Sequence, residues 1–99
     1  MSGTETGART AVRAVIAGRV QGVWYRGWTV EQATARGLSG WVRNRSDGAV
    51  EALFAGPADR VASMLAACRG GPPMAVVRSV ETEPAADPGP GVFAQRATV

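Results

Sequence analysis

The chain has no histidine, no lysine and a single cysteine, Cys68. Without histidine there is no imidazole to act as a general base near neutral pH or to hold a metal. Without lysine there is no Schiff-base nucleophile and no P-loop ammonium. All eleven basic residues are arginine, whose guanidinium donates hydrogen bonds but does not accept a proton at neutral pH. One cysteine cannot close an internal disulfide, which fits a reducing cytoplasm. No apolar run approaches the ~20 residues that span a bilayer. The first residues lack the charged-then-apolar order of a signal peptide, so no membrane association is expected. A concentrated positive patch is lacking as well. The net charge is +3, and the arginines are scattered from Arg9 to Arg96, whereas a dedicated nucleic-acid binder gathers them in a stripe. No nucleic-acid partner is expected.

What is present suits one small domain. Ninety-nine residues, 45% of them hydrophobic, bury roughly 65% of the surface that the unfolded chain exposes. Residues 1–10 are small and polar and read as a mobile tail, leaving 11–99 as the domain. Ala11–Ala17 is a near-continuous apolar run and predicts a central strand. Gly18 to Arg26 then forms a glycine-containing turn into a helix over Gly27–Arg36, with Gly37 placed as a left-handed C-terminal cap. Gly40–Asn44 and Ala49–Ala55 predict two strands joined at Asp47-Gly48, a strong hairpin signal. Pro57 suits the first turn of a second helix, in which Val61, Met64, Leu65 and Cys68 form an apolar stripe at i, i+3, i+4 and i+7. Val76–Glu83 predicts a fourth strand, 84–91 a proline- and glycine-rich loop, and Val92–Thr98 a short last strand.

This order, βαββαβ with a short extra C-terminal strand, is that of an α+β, ferredoxin-like α/β sandwich: a mainly antiparallel sheet with two helices on one face. Such a fold hosts many activities, so function must come from a site. In this plan the strand ending at Asn44 runs parallel to the first strand, so Asn44 shares a rim of the sheet with the glycine turn. The backbone amides of Gln21, Gly22, Val23, Trp24, Tyr25 and Arg26 could surround an anion such as inorganic phosphate, and the Arg26 guanidinium could clamp it. Asn44 offers both a donor and an acceptor, suited to holding a water. Taken alone, Arg26 reads first as a surface charge or a helix-start contact, Asn44 as turn chemistry, Cys68 as packing, and Glu31 and Glu51 as solvated faces.

Two ungapped segments sharpen this. Gly18-x-Val20-Gln21-Gly22-Val23-x-Tyr25-Arg26 and Gly37-Leu38-x-Gly40-Trp41-Val42-Arg43-Asn44, followed by Asp47-Gly48-x-Val50-Glu51, closely resemble the acylphosphatase family. The resemblance runs from about residue 11 to 83. It implies hydrolysis of the carboxyl–phosphate bond of a small-molecule acyl phosphate by an enzyme that needs no metal and no cofactor; separately, no apolar helix face is left over for a dimer, so a monomer is expected. It further implies that Arg26 binds the phosphoryl group, that Asn44 positions the attacking water, and that the 21–26 amides form the phosphate cradle. Tyr25 stands where the family usually has phenylalanine, and its hydroxyl needs a partner. Trp24 fills a variable position at the mouth of the cradle, where it could favour some acyl groups. The other reading is a non-catalytic module that binds phosphate or carbamoyl phosphate within a larger maturation assembly.

Overall fold

The computed structural model describes residues 8–99. Strand β1 (Arg9–Arg19) leads to helix α1 (Tyr25–Ala35), strands β2 (Ser39–Asn44) and β3 (Val50–Pro57), helix α2 (Ala58–Cys68) and strands β4 (Val76–Pro84) and β5 (Phe93–Gln95). The five strands form one sheet in the order β4-β1-β3-β2-β5. All pairings are antiparallel except β2 with β5. This is the ferredoxin-like α+β fold read from the sequence. No helix of the described residues is long and apolar enough to cross a membrane.

β1 begins two residues ahead of the expected Ala11, because Arg9 and Thr10 pair with Pro57 and Gly56 of β3. Arg9 also ties down the proline-rich loop through a two-pronged hydrogen bond to Asp87, 2.9 Å for each prong. Together with the Gly89 N–H, Arg9 holds the Asp87 carboxyl down at about 2. Of the expected tail, residues 1–7 lie outside the described residues.

α1 starts at Tyr25 rather than Gly27, because Trp24 adopts a left-handed conformation (φ 70°, ψ 24°) and turns the chain straight into the helix. Its other end closes as anticipated. Gly37 is left-handed (φ 68°), and the Gly37 and Leu38 N–H groups donate to the Thr34 and Ala33 carbonyls at 3.0 Å each. That is the Schellman arrangement, which satisfies carbonyls the helix leaves over. Pro57 ends β3 and caps α2 rather than occupying its first turn. Val61, Met64 and Cys68 are buried along α2 as the stripe required. The last strand is shorter than expected. Beyond Gln95 only separate bonds continue the contact with β2, Arg96 N–H to the Val42 carbonyl (2.8 Å) and Val99 N–H to that of Asn44 (3.1 Å).

The core lies between the sheet and the helices, with Ile16, Val42, Val50 and Phe54 meeting Tyr25, Leu38, Val61 and Met64. Phe93 stacks on Phe54 at 5.5 Å between ring centroids and so fastens β5 to this core. The Tyr25 hydroxyl finds its partner in the Cys68 carbonyl, donating at 2.6 Å within the core. This bond ties the start of α1 to the end of α2.

The opposite face of the sheet carries a buried charge that periodicity did not reveal. Glu51 is only 4% exposed, not solvated. The register places Arg43 directly across from it on β2, and Arg43 Nε donates to its Oε1 at 2.9 Å. Arg13 Nε donates to the other carboxylate oxygen, while Arg13 Nη1 reaches Glu83 at 2.8 Å. Burial pushes the Glu51 carboxyl up, but the hydrogen bonds and charges of Arg43 and Arg13 outweigh it and hold the group below its ordinary value.

Two outcomes follow from this packing. A lowered carboxyl stabilises the fold fully above the unfolded pKa, about 4.3, and that stability is lost as pH falls through the folded value. Glu51→Gln should therefore lower the unfolding free energy by about 2 kcal/mol at pH 7, below the value for a fully buried pair because both arginines touch solvent. Urea titrations at pH 7 and pH 3 check this: the gap between variant and parent should shrink at pH 3. Tyr25→Phe should cost about 1 kcal/mol, seen as a thermal midpoint lower by about 5 °C, because the buried Cys68 carbonyl loses its donor.

Candidate active site

The segment between β1 and α1 is pinned at both ends by burial. Val20 and Tyr25 are each 1% exposed, so the chain must expose its intervening residues at the surface within one tight turn. Gly18 makes the entry possible. It sits at a bulge in the β1–β4 ladder, and a Cβ there would come within 2.2 Å of the Val76 carbonyl oxygen. Gly22 has open space around it but a φ of +76°, so glycine is required there for backbone conformation alone. With Trp24 also left-handed, two such residues flank Val23. Alternating handedness of this kind lets successive N–H groups point into one concavity, the geometry of an anion nest.

The nest opens onto a helix start. The first intrahelical bond of α1 runs from Trp28 N–H to the Trp24 carbonyl at 3.0 Å, which leaves the amides of Tyr25, Arg26 and Gly27 without helical acceptors. No acidic residue occupies the first turn to offset their partial positive charge. Arg26 projects from the same turn. Among the described residues its guanidinium enters no ion pair.

Asn44 stands across the cavity as the last residue of β2. Its Oδ1 is buried and has no hydrogen-bond partner. Since a buried amide oxygen without a partner costs about 1–3 kcal/mol, its position calls for a hydrogen-bond donor from the cavity. Gln21, Gly22, Trp24, Tyr25 and Arg26 line one cavity of about 200 Å³ with Asn44. Val23 does not join them and packs instead against the core.

The role of the Gln21 side chain and the presence of one further residue, Gln95, escaped sequence reasoning. The Gln21 side chain donates from Nε2 to the carbonyls of Arg45 (2.8 Å) and Ala49 (2.9 Å). It thereby ties the cradle to the turn immediately after Asn44 and sets the distance between the two halves of the site. No local pattern announces a contact between residues 24 apart in sequence. Gln95, from β5, also lines the cavity. Here a signal existed: Phe93 faces the core, so the alternation of a strand puts Gln95 on that same side, where an amide is out of place unless a polar site lies there.

The lining holds no carboxylate, thiol or imidazole. Tyr25 is its one ionisable group other than arginine, and burial pushes that phenol far above its ordinary value, so it does not serve as a base near neutral pH. Cys68 lies in the core, its thiol pushed up to about 11 by burial. Among the described residues, no three acidic or cysteine side chains gather to hold a metal ion. The site can do two things: surround an anion with backbone N–H groups and one guanidinium, and present an amide to whatever approaches that anion.

Comparison with known proteins identifies the family. The sequence model of the acylphosphatase family matches residues 12–94. An acylphosphatase of Rhizorhabdus wittichii is 56% identical over 96% of this chain and 92% of its own length. One of Rhodospirillum rubrum is 60% identical over 82% and 89%. The crystal structure of acylphosphatase from Bacillus subtilis superposes with a TM-score of 0.85 at 33% identity, covering 90% of this chain and 99% of the other. On its sequence, its fold and the kinship of both, this chain belongs to the acylphosphatase family, enzymes that hydrolyse acyl phosphates.

Proposed function

We propose that the chain hydrolyses acyl phosphates by direct attack of a water molecule held by Asn44 on a phosphoryl group held by Arg26 and the backbone amides of residues 21–26. The observation that carries this reading is the buried, unpartnered Oδ1 of Asn44 in the wall of the same cavity as Arg26. An acceptor in that position takes a hydrogen bond from a water and leaves the oxygen lone pair directed at the anion.

The chemistry asks little else of the protein. The bond that breaks joins phosphorus to the carboxyl oxygen, and the departing carboxylate is a weak base that needs no acid to assist it. The bond that forms joins phosphorus to the water oxygen. The water's proton passes to a phosphate oxygen of the substrate, which accords with a cavity that offers no general base. What remains is to fix the reactants in line and to stabilise negative charge spread over the phosphoryl oxygens. Preorganised N–H groups and a planar guanidinium supply both, and no step in this scheme passes through a metal. The other reading, a binding module of a larger assembly, is disfavoured because relatives matched over most of their length bear the name acylphosphatase.

Hydrolysis of acetyl phosphate and benzoyl phosphate in the presence of a chelator tests the scheme, and activity should persist. Arg26→Ala should abolish turnover to the limit of detection, and Arg26→Lys should not restore it, because an ammonium cannot reproduce the guanidinium fork. Asn44→Ala should lower kcat by about 10²-fold, the scale of one preorganised polar group, with KM little changed. A rise in KM at constant kcat would instead assign Asn44 to substrate binding.

A further inference from the structure

Trp24 is the feature of the site that the hydrolytic scheme leaves unused. The scheme needs the backbone of this residue but not its side chain. The side chain is nonetheless large, apolar and 56% exposed, on a residue whose left-handed φ of 70° is unusual for anything but glycine, asparagine or aspartate. The chain makes room for it. Gly27 lies beneath the indole, so that a Cβ at position 27 would fall 2.2 Å from Trp24 Nε1 and 2.7 Å from Cδ1. Gly27 stands in the first turn of α1, where glycine weakens a helix by about 1 kcal/mol relative to alanine. Both departures from good local chemistry serve one outcome, an indole laid over the helix start beside Arg26.

The remaining walls offer nothing comparable to an apolar group. Val20 and Tyr25 are buried, and Gly22, Arg26, Asn44 and Gln95 present backbone or polar groups. With the phosphoryl group in the cradle, the acyl group leaves through the mouth, where the exposed apolar surface is the indole. A flat aromatic acyl group can stack on it, whereas an acetyl group covers little of it.

We propose that Trp24, set in place by Gly27, forms the acyl-recognition wall of this site and favours aromatic acyl phosphates over short aliphatic ones. The proposal rests on acyl phosphate hydrolysis as the reaction and adds the class of acyl group.

Two ratios test it: kcat/KM for benzoyl over acetyl phosphate, and affinity for the non-hydrolysable benzoylphosphonate over acetylphosphonate. Trp24→Asn removes the indole while keeping a residue that tolerates the left-handed backbone. Gly27→Ala keeps the indole but forces it aside. Both ratios should fall by about 3- to 10-fold in either variant, the range of one aromatic contact, and Trp24→Phe should restore most of the loss. Ratios within twofold of the parent in both variants would overturn the proposal, even with hydrolysis intact. Phosphonate ratios that depend on Trp24 in a protein that hydrolyses neither phosphate would leave the wall standing and overturn the reaction. Failure to bind either phosphonate would overturn both.

Discussion

β1 has to hand the chain to α1 within five residues, Val20 to Trp24, without letting go of the core on either side. Burying Val20 and Tyr25 satisfies the core, and the residues between them have no room for a relaxed turn. Gly22 and Trp24 take the left-handed conformations that result. The cradle is thus a by-product of a packing constraint, because backbone forced into alternating handedness turns its N–H groups inward. A longer connection would ease the backbone and scatter the amides that the proposed chemistry uses.

Topology places the second half of the candidate site. A crossover helix returns the chain so that β2 runs parallel to β1, with β3 between them, and Asn44 emerges on the rim where the cradle lies. Rough proximity follows from topology, but usable geometry needs a strut. The Gln21 amide spans from the cradle to the Arg45 and Ala49 carbonyls, and Val99 N–H holds the Asn44 carbonyl from the other side. Both contacts cross between segments distant in sequence, so the site is as firm as the sheet that supports it. The ion pairs of Glu51 belong to that support, since they join β1 to β3 and β3 to β2 on the face away from the helices.

Much of the fold was legible beforehand. The stripe of α2, the cap at Gly37 and the Asp47-Gly48 hairpin are local chemistry, and each sits where its residues indicated. Boundaries moved where distant partners decided them. β1 gained Arg9 and Thr10 through pairing with β3, and α1 gained Tyr25 and Arg26 because Trp24 took a conformation that its residue type disfavours. The misjudged glutamate has the same origin. Glu51 follows an ordinary alternation for a solvated position, and only the register reveals two arginines waiting for it.

Taken by itself, the sequence determined the order of elements and the limits of the chemistry. A chain without histidine or lysine can hold an anion with arginine and amides but cannot offer an imidazole base or an ammonium, and this holds however it folds. The tertiary structure decided which groups face each other. That Asn44 presents a buried oxygen without a partner, that the Gln21 side chain braces rather than binds, and that an indole lies over Gly27 are facts of long-range packing. Local periodicity fixes which side of a strand or helix a residue occupies, but what it meets there depends on strands brought alongside from elsewhere in the chain. The stretch from Gly18 to Arg26 was legible as a candidate phosphate cradle with Asn44 on the same rim; the buried, unpartnered state of the Asn44 oxygen and the seat of the indole over Gly27 came from the fold.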